Sequence, residues 1–82
     1  MLRGQIKNKT YTKLEREKGK LRMAGGSWTI NLDDVPLGEV DKIVYITESR
    51  RYEITREKAI EKGFEQKFKG ESKLVVPERW WS

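Results

Sequence analysis

Ile43-Val44-Tyr45-Ile46 is continuously apolar and rich in β-forming residues. Such a run is expected at the centre of a sheet, covered on both faces. It constrains the fold strongly, because the segments around it are short and closely punctuated. Ser27–Leu32 alternates Trp28, Ile30 and Leu32 with Ser27, Thr29 and Asn31, the period of a half-buried strand. Asp33-Asp34-Val35-Pro36-Leu37-Gly38 carries the residues of a loop. Glu48-Ser49-Arg50 is short enough to be a tight connection, with Arg51–Ile54 returning as a strand. Phe64–Lys69 puts Phe64, Gln66 and Phe68 on one face, Lys69-Gly70-Glu71 reads as a turn, and Ser72–Val76 returns.

One short helix is expected over 55–62. Thr55 is a good N-cap, Glu57 lies in the first turn, Lys62 in the last, and Gly63 suits the position after the helix. Ala59 and Ile60 are expected to point inward. With 82 residues there is room for one domain and one modest core. The expected fold is a β-rich α+β domain spanning 1–82. It has about six or seven short strands in a small, strongly bent sheet or partly open barrel, with the helix closing one end.

The first quarter of the chain reads differently from the rest. Thr12-Lys13-Leu14-Glu15 fits a capping box. Yet only Leu14 and Leu21 offer an apolar stripe, with charge and Gly19 between them, too little for a stable helix. The preferred reading is a hairpin, with strands Tyr11–Glu17 and Lys20–Met23 joined around Lys18-Gly19. Residues 1–8 extend it or form a terminal arm.

That quarter also holds the charge. Residues 1–23 carry eight basic and two acidic side chains, whereas 24–82 carry ten basic and eleven acidic. The net charge of +5 is therefore a basic N-terminal hairpin or arm (1–23) on a near-neutral globular body (24–82). Such asymmetry points to a polyanion, whose phosphates the lysines and arginines would neutralise with release of counterions. A competing account is heat adaptation. Charged residues make up 38% of the chain and Asn and Gln are scarce, as in surfaces laced with ion pairs. Heat adaptation alone, however, predicts mixed signs rather than a basic block.

Several chemistries are excluded or weakened. The chain has no Cys, so disulfides, thiolate catalysis and Cys-ligated zinc or iron–sulfur centres are out. It has no His, which removes the commonest general base and metal ligand. No P-loop, dinucleotide fingerprint or nucleophile elbow occurs. Asp33, Asp34, Glu39 and Asp41 cluster, but their spacing fits no calcium loop and Pro36 and Leu37 interrupt it. Glu71-Ser72-Lys73 matches half of a metal-dependent nuclease signature and lacks the upstream strand-end aspartate. The reading is a non-enzymatic protein with no cofactor and no metal. No apolar run approaches the ~18 residues of a membrane span, and no signal-peptide core is present, so a soluble cytoplasmic protein with no membrane partner is expected.

Eight aromatics are interleaved with the charge. Trp28, Tyr45, Phe64 and Phe68 keep company with aliphatics and are expected in the core. Tyr11 lies between Lys9 and Lys13 and is expected to pack on sugar or base. Arg50 and Arg51 precede Tyr52 at a turn, a second basic–aromatic feature, though Glu48 and Glu53 beside them also suit a surface ion-pair cluster. In Arg79-Trp80-Trp81 adjacent side chains must diverge, so one tryptophan caps the core and the other faces solvent or a partner.

The function expected is a small nucleic-acid-binding protein, for DNA or RNA, mainly electrostatic and of low sequence specificity. Lys7, Lys9, Lys13, Arg16, Lys20 and Arg22 would contact phosphates with Tyr11, and Arg50 and Arg51 would assist. The alternative is a protein-interaction module or homodimeric adaptor that uses an exposed strand edge and the tail Arg79, Trp80 and Trp81.

Overall fold

The computed structural model describes residues 5–7, 9–17 and 26–82. Its elements are β1 (Gln5–Lys7), β2 (Thr10–Leu14), β3 (Ser27–Asn31), β4 (Lys42–Ile46), β5 (Arg51–Thr55), α1 (Arg56–Lys62), β6 (Phe64–Phe68) and β7 (Glu71–Pro77), then a 3-10 turn, Glu78–Trp80. The fold is α+β and strand-rich. A four-stranded sheet runs β1-β2-β4-β5 and a three-stranded sheet runs β3-β7-β6. Among the described residues the two sheets do not close into a barrel.

β4 is the pivot. Its Ile43, Val44 and Tyr45 are all buried, and it lies between β2 and β5. β5 returns antiparallel to it, pairing Tyr45 with Tyr52. β2 runs parallel to it, pairing Tyr11 with Ile43 and Lys13 with Tyr45. The expected hairpin paired Tyr11–Glu17 with Lys20–Met23; the described part of its first strand, β2, has β1 and β4 as neighbours. On its other side β2 pairs with β1, through a turn where Lys9 takes φ 62°. Residues 18–23 of the expected hairpin lie outside the described residues. Joining the central sheet puts the inward-facing Tyr11 of β2 beside the buried Ile43. The described residues of the basic quarter thus supply β1 and β2 to the larger sheet.

The core fills the space between the sheets. Trp28 and Ile30 of β3 and Leu74 and Val76 of β7 meet Tyr11, Ile43, Tyr45, Tyr52 and Ile54 of the larger sheet. Trp28 sits edge-on to Tyr45 at 5.6 Å and tilted against Tyr52 at 5.2 Å. The Tyr45 hydroxyl donates to the Thr29 carbonyl at 2.8 Å, tying β4 to β3. In the loop after β3, the Asn31 Oδ1 accepts from the Asp33 amide and Val35 and Val40 are buried. Arg56 fastens this loop by donating to the Val40 carbonyl at 3.1 Å.

Helix α1 begins as its sequence requires: the Thr55 hydroxyl accepts from the Lys58 amide. Ala59 is buried against the core, but Ile60 is 57% exposed, contrary to expectation. Seven residues cross the core at one contact line, so only one face of α1 is covered. Phe64, also expected inside, is 40% exposed. The register places it opposite Val75, on the face of β6 turned away from Leu74 and Val76. The Phe68 side chain lies outside the described residues. β6 and β7 are joined by Lys69-Gly70, both at positive φ (51° and 83°), the geometry of a two-residue hairpin turn.

Candidate functional site

The closing residues of the chain create the most distinctive surface feature. Pro77 turns the chain out of β7 into the 3-10 turn, and the two tryptophans then diverge. Trp81 enters the core. It is 5% exposed, stacks on Tyr45 at 5.1 Å and donates its Nε1–H to the Val76 carbonyl. That removes Trp81 from the expected partner-binding set, since nothing outside the core can reach it. Trp80 remains half-buried, packed against the margin of the core.

Three cations gather on Trp80. The Lys62 ammonium lies 4.6 Å from the ring centroid, the Arg79 guanidinium 5.2 Å and the Lys58 ammonium 5.4 Å. Lys58 and Lys62 reach it because they are four apart on α1 and so share a face. Each cation–ring contact is worth ~0.5–1 kcal/mol at an exposed site. The same geometry holds three like charges within a common neighbourhood, where they repel. Among the described residues, only Lys62 of the three has a carboxylate within ion-pair distance, Glu61 at 3.5 Å. An anion near this cluster would relieve the repulsion and be drawn by all three charges.

The residues expected to bind phosphate are more dispersed. Lys9 is exposed at the turn before β2, and Arg16 is exposed beyond its far end. Lys13 is paired with Glu15 at 3.5 Å. Lys7 stands on β1 opposite Thr10, while Lys20 and Arg22 lie outside the described residues. Tyr11 is 3% exposed and belongs to the core, so it cannot stack on a base. The alternation that put it beside Lys9 and Lys13 also put it on the inward face of β2, opposite Ile43.

A second polar cluster forms at the end of the larger sheet. Glu17 Oε1 accepts from the Thr47 hydroxyl at 2.8 Å and from the Ser49 hydroxyl, and lies 3.4 Å from the Tyr52 hydroxyl. Glu78 Oε1 is 3.2 Å from the same phenol. Arg50 stacks over the Tyr52 ring at 4.6 Å, and Arg51 pairs with Glu53 at 3.5 Å. Arg50 and Arg51 thus serve local contacts at a mixed-charge end. Glu53 also holds Lys42 at 2.9 Å, and that hydrogen bond sets its carboxyl below the usual carboxylate range.

Among the described residues no group of three or more acidic side chains could hold a metal ion. No described helix is long and apolar enough to cross a membrane. Sequence reasoning named Arg79 and Trp80 but missed Lys58 and Lys62. Their signal was a like-charge pair at helical spacing, which costs an isolated helix a few tenths of a kcal/mol and so invites a reason. Comparison with protein-family models, curated proteins and solved structures found no match.

Proposed function

We propose that this domain is a non-catalytic nucleic-acid-binding protein that grips the phosphate backbone with little sequence preference. The observation that carries the reading is the gathering of Lys58, Lys62 and Arg79 on the Trp80 indole, on a chain of net charge +5. The indole holds three long side chains in place, so less rotamer freedom is lost when they meet phosphates. Lys9 and Arg16 extend the contact electrostatically, as do the remaining basic residues of 1–23. The high charge and scarcity of amides suit a heat-adapted version of such a protein.

Titration of short labelled DNA and RNA, single- and double-stranded, tests this. One variant carries Lys58→Gln, Lys62→Gln and Arg79→Gln. A second carries Gln at 7, 9, 13, 16, 20 and 22. The first variant is expected to bind at least about tenfold more weakly, with its log–log salt slope smaller by about 2–3, since each lost phosphate contact removes ~0.9. Wild-type binding unchanged in that variant would overturn the assignment to this cluster. Absence of binding by the wild type at low salt would overturn the function itself.

A further inference from the structure

Among the described residues the outer edge of β6 is open, and its sequence is complementary to itself. Among the described residues nothing hydrogen-bonds to that edge, because β6 pairs only with β7. The comparable edge of β5 is treated differently: Ser82 exchanges both backbone hydrogen bonds with Glu53 there, at 2.7 and 3.2 Å. β6 reads Phe64-Glu65-Gln66-Lys67-Phe68. Laid antiparallel against a second copy about Gln66, it sets Glu65 opposite Lys67 twice, Phe64 opposite Phe68 twice, and Gln66 opposite itself. In antiparallel pairing directly opposed residues share a face, so all five positions fall in register at once.

We propose that two copies of this chain dimerise through their β6 edges, joining the two three-stranded sheets into one. The partner is a second copy because the charge pattern is symmetric about one residue, the pattern a twofold, self-complementary interface requires. An unrelated strand would have no reason to match it. Phe64, exposed at 40%, stands on this strand, and Ile60, exposed at 57%, lies just before it on α1. Both broke the expectation of burial, and both lie at or next to the strand that the dimer would join.

The charges on the strand also define the rival outcome, since charged side chains on an edge strand can serve to keep it unpaired. A charge-reversal cycle separates the two. Within one chain Glu65 faces Leu74 and Lys67 faces Ser72, both uncharged, so reversals there leave the monomer's own pairing without a new like-charge contact. Glu65→Lys alone, or Lys67→Glu alone, opposes like charges at both ends of the joint. The two together restore opposite charges. Light scattering over a rising concentration series, with circular dichroism to confirm folding, reads the result. The proposal expects twice the chain mass for the wild type, a dissociation constant raised tenfold or more in each single variant, and recovery in the double variant. A wild type that stays monomeric throughout would overturn it and mark the charges as guards of the edge. A dimer indifferent to the single reversals, or one not recovered by the double, would also overturn it, because the interface would then lie elsewhere or in another register.

Discussion

Gly63 shows how a residue that looks conventional in sequence meets a different requirement in space. A glycine directly after a helix usually supplies a left-handed turn. Here φ is −86°, an angle any residue adopts. The need is for room: a Cβ at this position would sit 2.6 Å from the Ala59 carbonyl oxygen, 2.9 Å from Val76 Cγ2 and 3.0 Å from Leu74 Cγ. Replacing Gly63 by Ala restricts the unfolded chain, which favours folding by ~0.4–1 kcal/mol. Overpacking against β7 opposes this with ~1–3 kcal/mol, and it wins because two of the contacts are to buried core side chains. Gly63→Ala is therefore expected to lower stability by about 1–2 kcal/mol in denaturant titration, with an unchanged m-value.

At the scale of the element, α1 is a platform for two lysines. Seven residues are too few for an isolated helix, so α1 depends on its cap and on the packing of Ala59. The Thr55 hydroxyl meets the Lys58 amide at 3.2 Å, and Glu57 and Lys62 are placed well for the helix dipole. Thr55→Ala is expected to cost ~1 kcal/mol of stability. Because the cap bonds the very residue whose side chain reaches Trp80, the variant should also weaken nucleic-acid binding, by less than the triple Gln variant. Unchanged affinity despite lost stability would show that the lysines find Trp80 without a well-formed first turn.

At the scale of the whole molecule, Tyr45 joins the two sheets. Its ring lies between Trp28 and Trp81 and its hydroxyl reaches across to Thr29. Burial, helped by the nearby Tyr11 phenol and the Glu15 and Asp34 carboxylates, pushes its ionisation far above the ordinary value near 10. The folded state thus holds this proton more tightly than the unfolded state. Its contribution is complete below about pH 10 and falls as pH rises beyond, by up to about 1.4 kcal/mol per unit, while the unfolded phenol ionises and the folded one does not. Denaturant titrations at rising alkaline pH should show this decline. Tyr45→Phe should be less stable near neutrality, by ~1 kcal/mol for the lost hydrogen bond, and should have a flatter alkaline limb.

Much of this was legible in the chain. The run Ile43-Val44-Tyr45-Ile46 did mark a central strand buried on both faces, Thr55 did open a helix, and Lys69-Gly70 did turn β6 into β7. These follow from local chemistry: side-chain branching, a hydroxyl next to an unpaired amide, a glycine at positive φ. The divergence of Trp80 and Trp81 was foreseen on the same footing, though not which of them would go inward. Tertiary structure decided the rest. Tyr11 is in the core because β2 found β4 as a parallel neighbour, a choice set by residues thirty positions away. Ile60 is outside because α1 has only one covered face, and Phe64 because β6 pairs on one side only and its Phe64, Glu65 and Lys67 are all exposed; no pattern within either segment says where the other sheet will lie. The cations of α1 and Arg79 meet on one ring only after the chain has crossed β6 and β7. Local sequence sets what each segment can become, and the cost of leaving apolar faces in water sets which segments meet.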